Sequence, residues 1–176
     1  MLDGRALLRG AMDTNHQILE GTMADVTAEV AHWSPPGSAV PIGAMYAHVI
    51  IGEDFLLSGL RGAAPLGAST FAGKMGVSEP PPPASGTGWG EWAHRVRVDL
   101  TALRAYAQAV YANTDAYLAS ASDAELDKVG KHPLSGMLPD MSPAAFVGNL
   151  LSGHVANHCG EISALKGEQG LKGYPF

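Results

Sequence analysis

A chain of 176 residues in which 46% of side chains are hydrophobic and 16% charged has enough apolar material to bury a core, which excludes a disordered charged tail. Eleven basic residues scattered among seventeen acidic ones, a formal charge of -6, leave no clustered Lys/Arg face and exclude nucleic acid as an expected partner. The one cysteine, Cys159, excludes an intrachain disulfide and fits a reducing compartment, so the cytoplasm is the expected location.

No run approaches the roughly 20 apolar residues that cross a bilayer, and the first residues lack an apolar segment ending in a small-residue cleavage site. Neither a membrane partner nor secretion is expected. From Asp3, a plausible N-cap, to about Ala31 the chain contains no proline, and Leu8, Met12, Leu19, Met23, Val26 and Val30 recur at helical spacing. The pattern predicts one long amphipathic helix. It is broken by "HWSPPGSAVPIG". A second helix is expected from about Pro41 to Leu60, with Ile42, Met45, Val49, Leu56 and Leu60 on one stripe.

Residues 61–88, "RGAAPLGASTFAGKMGVSEPPPPASGTG", carry Gly, Pro and Ser throughout and end in a four-proline run. So long a connection is expected to cross the molecule or cover a site. The proline run is compatible with a polyproline-binding groove, but its simpler role is to stiffen the loop. A third helix is expected from about Trp89 to Ala119, on Trp92, Val96, Leu103, Tyr106, Val110 and Tyr117. Residues 120–141 form another irregular link, in which Ser122 and Glu125 are placed for a capping box on a short turn. Ser142 followed by Pro143 is a strong start for a fourth helix, which Gly167 and Gly170 can stop.

Four long helical patterns without strand alternation predict an all-α fold: one four-helix-bundle domain over residues 1–176. The connection lengths predict the order up, down, down, up, with 61–88 as the long crossover between the second and third helices.

The chemistry to be read lies in the histidines. "GHVANHCGEISALKG" (153–167) holds His154 and His158 one helical turn apart, although seven histidines in this chain yield roughly 0.3 such pairs by chance. Placement is more telling than spacing. The fourth helix's apolar stripe reads Val147, Leu151, His154, His158, Ile162, Leu165, so both imidazoles lie on the core-facing line. They are either core side chains satisfied by nearby acceptors or a pair chelating one Zn2+-like ion.

A third ligand is available in "IGAMYAHVIIGEDFL", where His48 flanks the second helix's buried stripe. With the second and fourth helices antiparallel, His48 and His158 fall within about 3 Å of the same level at 1.5 Å per residue. Glu161, three residues beyond His158, is a weak catalytic candidate: a fourth ligand, an orienting group or a base, against the plainer role of a surface carboxylate. His16 faces inward on the first helix, where it could border the pocket, core packing being its simpler role, and His32, His94 and His132 show no partner. Cys159 points away from the histidine line. Glu53 and Asp54 lack the paired Glu-x-x-His spacing of a di-iron site.

These residues carry a resemblance. "PIGAMYAHVIIGEDF" and "LLSGHVANHCGEISALKGEQG" resemble the second-helix histidine segment and the closing His-x3-His helix of the DinB-like (DinB/YfiT) superfamily of four-helix bundles, and helix order and crossover fit along essentially the whole chain. The resemblance implies a divalent-metal site at His48, His154 and His158; Glu161 stands where that family often has Gln. Such an ion, with Zn or Ni as the leading identities, acts as a Lewis acid and lowers the pKa of a bound water or thiol.

The family includes transferases and isomerases that use bacillithiol or mycothiol, and proteins assigned as metal-dependent hydrolases. The expectation is therefore a metal-dependent thiol S-transferase, isomerase or hydrolase acting on a small electrophile, with the 61–88 loop as a lid. The rival is a non-catalytic metal- or small-molecule-binding bundle, for example one serving a stress response. The family and the sparse surface charge also imply a homodimer.

Overall fold

The computed structural model describes residues 3–83 and 87–176, and among these the regular structure is helical. In chain order the elements are α1 (Gly4–Met23), α2 (Ala28–His32), α3 (Ile42–Arg61), α4 (Trp89–Arg95), α5 (Leu100–Ser120), α6 (Asp123–Asp127), α7 (Pro143–Ala145) and α8 (Ser152–Glu168). A 3-10 turn at Leu66–Ala68 interrupts the crossover, and a π-helical segment, Phe146–Leu151, joins α7 to α8. No described helix is long and apolar enough to cross a membrane.

Asp3 caps α1 as expected, its carboxylate accepting from the Arg5 and Ala6 N–H groups. The helix does not run on to Ala31. It stops at Met23, and Thr27, in extended conformation, caps the separate α2 by accepting from the Val30 N–H. The cause is competition for the backbone. Thr22 Oγ1 bonds back to the Ile18 carbonyl at 2.7 Å, while Lys166 Nζ and Arg104 Nη2 take the carbonyls of Thr22 and Met23, both at 2.6 Å. The last turn is thereby capped by cations from two other helices. Lys166 itself is buried and also bonds Asp25 Oδ1 at 2.5 Å.

The expected third helix is likewise two. Between α4 and α5 the chain is extended, because Val98 pairs with Val77 of the crossover, the Ser78 N–H donates to the Arg97 carbonyl at 2.9 Å and the Asp99 N–H to the Gly76 carbonyl at 2.8 Å. Gly76 has φ +81°, and a Cβ there would lie 2.5 Å from the Leu103 backbone nitrogen, so only glycine fits. Asp99 then restarts the helix as its N-cap. His32 joins the same seam: its Nδ1–H donates to the Ala28 carbonyl at 2.7 Å, leaving Nε2 to accept from the Val98 N–H at 3.0 Å. His132 is also paired, accepting from the Leu134 N–H at 3.2 Å and donating to the Pro139 carbonyl at 2.9 Å. The partners of both rings are backbone groups, which side-chain spacing does not announce.

α3 is buried on nearly every face, as a helix enclosed by others must be. It ends at Gly62 with φ +64°, a left-handed stop. The crossover beyond is tied down by Asp54, which accepts from the Leu66 N–H at 3.0 Å, the Gly67 N–H at 2.8 Å and the Tyr106 hydroxyl at 2.6 Å. Its proline run is strapped to α4, with the Trp89 and Trp92 indoles donating to the carbonyls of Pro83 and Glu79. Residues 84–86, which follow the run within the 61–88 connection, lie outside the described residues.

Ser122 caps α6 through the Glu125 N–H, and Ser142 with Pro143 opens α7 as expected, Ser142 Oγ accepting from the Ala145 N–H. Backbone angles remain helical through Phe146 and Ser152, so residues 143–168 run as one helix with a wide turn inside it.

The core divides into two apolar clusters. One holds Leu19, Ile50, Ile51, Val110, Val155 and Ile162; the other holds Met12, Leu56, Leu57, Leu118, Phe146 and Leu151. A polar layer lies between them in sequence register: His16 of α1, Glu53 of α3 and Thr114 of α5, each buried. His16 was expected to be a packing residue. It instead donates to Glu53 Oε2 at 2.8 Å, while Glu53 Oε1 accepts from the Thr114 hydroxyl at 2.6 Å.

Candidate metal centre

The three sequence-predicted histidines come together. His48 enters from α3, and His154 and His158 project one turn apart from α8. One ring nitrogen from each lies within 4.8 Å of the other two. The His154 and His48 Nε2 atoms are 3.0 Å apart, and the rings stand steeply to one another with centroids 4.6 to 5.0 Å apart. Two nitrogens bound tetrahedrally to one ion at about 2.0 to 2.1 Å would lie roughly 3.3 Å apart, so the spacing suits a shared divalent ion.

The electrostatics favour the same use. Burial, reinforced by the neighbouring imidazoles, holds His154 down to about 3 and His48 down to about 4. Both rings therefore stay neutral at pH 7, with lone pairs free to coordinate. His158 is oriented differently: its Nδ1–H donates to Glu161 Oε2 at 2.7 Å, which leaves Nε2 as its lone-pair nitrogen. Of the roles open to Glu161, the observed contact is the orienting one.

Within the protein alone the cluster is costly in hydrogen bonds. Facing Nε2 atoms can share only one proton, and the Nδ1 atoms of His48 and His154 are buried without a partner among the described residues. Unpaired buried nitrogens of this kind cost about 1 to 3 kcal/mol each. The donor set, three imidazoles with one carboxylate behind, fits Zn2+ or a similar borderline ion. The missing partner behind two of the rings is a departure from the carboxylate or carbonyl that usually backs a zinc histidine.

Three features were not read from the sequence. Gly52 lies one helical turn beyond His48, and a Cβ on it would stand 3.2 Å from His154 Cε1; the glycine makes the room in which that ring lies. Trp89 meets the His48 ring edge-on at 4.5 Å and Trp92 at 5.3 Å. Beside His48, His158 and Glu161, a pocket of about 140 Å³ is walled by Val40, Ala44, Met45, Trp89, Trp92 and Ala93. The "WGEW" pair is the available signal, but the pattern marks Trp89 only as a helix start and Trp92 only as a helix-stripe residue. Cys159 is buried against Thr22 rather than in the cluster.

A helical fold carrying a three-histidine cluster able to hold a divalent ion is thus defined by geometry alone. The chain belongs to the DinB superfamily, whose family model matches residues 11–162. It is similar to the crystal structure of a conserved protein from Enterococcus faecalis, with a TM-score of 0.78 and 20% sequence identity over 94% of this chain and 96% of that one. That likeness is one of fold. No curated protein matches the chain significantly.

Proposed function

We propose that this protein is a divalent-metal-dependent enzyme whose ion, Zn2+ or Ni2+, is held by His48, His154 and His158 and activates a low-molecular-weight thiol or a water for attack on a small electrophile. The observation that carries the reading is the convergence of three imidazole nitrogens from two helices, two of them on rings kept neutral by burial. The ion would supply Lewis acidity and lower the pKa of what it binds. The chain's own residues do the rest. Glu161 fixes the ring of His158, and the tryptophan-walled pocket excludes water and accepts the apolar part of a small substrate.

The site rests, on this reading, in one four-helix-bundle domain of the order up, down, down, up. Support comes from the contacts that join the long helices. Arg9 of α1 reaches Asp115 of α5 while Arg104 reaches Met23; Asn15 and Thr22 of α1 meet Ser152 and Cys159 of α8; His48 and Gly52 of α3 meet His158 and His154. A cytoplasmic homodimer completes the proposal, and a monomeric mass by light scattering would remove the dimer.

A non-catalytic metal- or ligand-binding bundle is the second reading. It is favoured by one observation: Glu161, the carboxylate beside the cluster, is engaged with His158 and so is not free as a base. Metal analysis tests the site itself. Wild type should carry a near-stoichiometric ion that His154→Ala/His158→Ala lacks, and equal, negligible metal in both would refute the ligand assignment. Thiols offered with electrophiles, with and without Zn2+, Ni2+ or Mn2+, then separate the two readings, since turnover that depends on metal belongs only to the enzyme.

A further inference from the structure

A groove larger than the tryptophan-walled pocket lies away from the histidine cluster. It lies between α1 and α5, measures about 770 Å³ and shares no lining residue with the tryptophan-walled pocket. A seam between two bundle helices should be apolar. Here α1 presents Asp13, His16, Gln17 and Glu20 to the groove.

Each of these side chains is fixed by a bond on one side and free on the other. The His16 side chain is only 9% exposed and stacks on Tyr111 at 3.7 Å. Its Nε2–H is given to Glu53. Its Nδ1 has no partner among the described residues and is not sealed from solvent, so it opens on the groove. Glu20 Oε1 accepts from the hydroxyls of Tyr46 at 2.6 Å and Tyr111 at 2.8 Å, leaving Oε2 over. Asp13 Oδ2 accepts from Gln17 at 2.7 Å, leaving Oδ1.

The groove is therefore rich in unused acceptors. Its single cation, Arg9, is committed to Asp115 through both prongs of its guanidinium at 2.7 and 3.0 Å, and the buried Glu53 lies behind His16. Anions are disfavoured. A metal ion is disfavoured too, since the one group of three metal-capable side chains found among the described residues is the cluster on α3 and α8.

We propose that this groove binds a small aliphatic di- or polyamine. Ammonium groups carry only donors and match a row of acceptors. Positions 13, 16 and 20 lie on one side of the helix, with rises between them of about 4.5 and 6 Å. Amine nitrogens joined by three or four methylenes lie about 5 to 6 Å apart at ordinary single-bond lengths, so successive ammonium groups of an extended polyamine can follow that row. The methylenes between them run along Gly10, Met12 and Ala112.

The test is calorimetric titration of the purified, metal-loaded protein with spermidine and putrescine at low ionic strength, with 1,6-hexanediol as the uncharged control. Saturable binding of one equivalent of spermidine and none of the diol is expected. Asp13→Asn should weaken it by about fivefold, Glu20→Gln by about tenfold, as lost charge-assisted bonds do, and His154→Ala should leave it unchanged. Thermal melts confirm that each variant is folded. No saturable spermidine binding, affinity unaltered in both groove variants, or binding abolished by His154→Ala would each overturn the assignment. The metal reading stands or falls separately, on metal content.

Discussion

Gly52→Ala is the most discriminating perturbation of the candidate metal centre. A Cβ at this position lies 3.2 Å from His154 Cε1, 3.8 Å from Nδ1 and 4.0 Å from Nε2. Carbon atoms in comfortable contact sit about 3.5 to 4.0 Å apart, so the ring must retreat by a few tenths of an ångström. Metal–ligand distances tolerate about 0.2 Å, and His154 already stands 3.0 Å from the His48 nitrogen it must share an ion with. Alanine in place of glycine in a helix interior contributes about 1 kcal/mol in favour of folding. The two effects therefore separate: zinc affinity should fall about 10- to 100-fold, the range seen when a ligand's support is disturbed, while the metal-free melting temperature holds or rises. Competition titration against a chromophoric chelator, with melts of the metal-free proteins, reads both. Zinc affinity within twofold of wild type would refute the argument that this glycine positions His154.

Three further outcomes are expected. Removing Asp54 by Asp54→Ala leaves the Leu66 and Gly67 N–H groups and the Tyr106 hydroxyl without their acceptor and should cost roughly 3 to 5 kcal/mol, read by urea unfolding; faster proteolysis within 61–83 should accompany it, and a loss under 1 kcal/mol would mean the crossover is held elsewhere. Lys166→Met strips the cap from the end of α1 and should cost about 2 to 3 kcal/mol, mostly through the Thr22 carbonyl, since Asp25 is half-exposed; a melt unchanged within error would show that the cap is dispensable. Chelation should lower the wild-type melting point, by the equivalent of about 2.7 kcal/mol if zinc stood at 100 times its Kd, and should leave His154→Ala/His158→Ala where it was. Equal shifts in both proteins would place the effect outside the cluster.

The helices were legible where their causes are local. Asp3, Ser122, Ser142 with Pro143, and Pro41 mark starts that the chain keeps, because a cap needs only the next three residues. The breaks at 24–27 and 96–99 were not legible, since their causes lie far off: Lys166 and Arg104 close the end of α1, and Gly76, Val77 and His32 hold the strand-like stretch before α5. The same divide runs through the histidines. His48, His154 and His158 could be brought to one level by counting turns, whereas the partners of His32 and His132 are backbone groups that no side-chain pattern announces. The pairing of Glu53 with His16 joins two helices, so no spacing within either one announces it. The one clue was a pair of carboxylates inside the apolar run "VIIGEDFLL".

The π-helical turn at Phe146–Leu151 has a consequence for how this chain can vary in length. Such a turn holds one residue more than the α-turn it replaces, so the surplus is stored at a single place between the Ser142 cap and the histidine pair. Deleting one exposed residue there, Asn149, lets the turn close to ordinary α geometry while both ends keep their rotational phase. An equal deletion between His154 and His158 would swing one histidine about 100° off the shared line. The helix thus has a segment in which a one-residue change of length is absorbed, followed at once by one in which it is not, and the boundary between them falls just before His154.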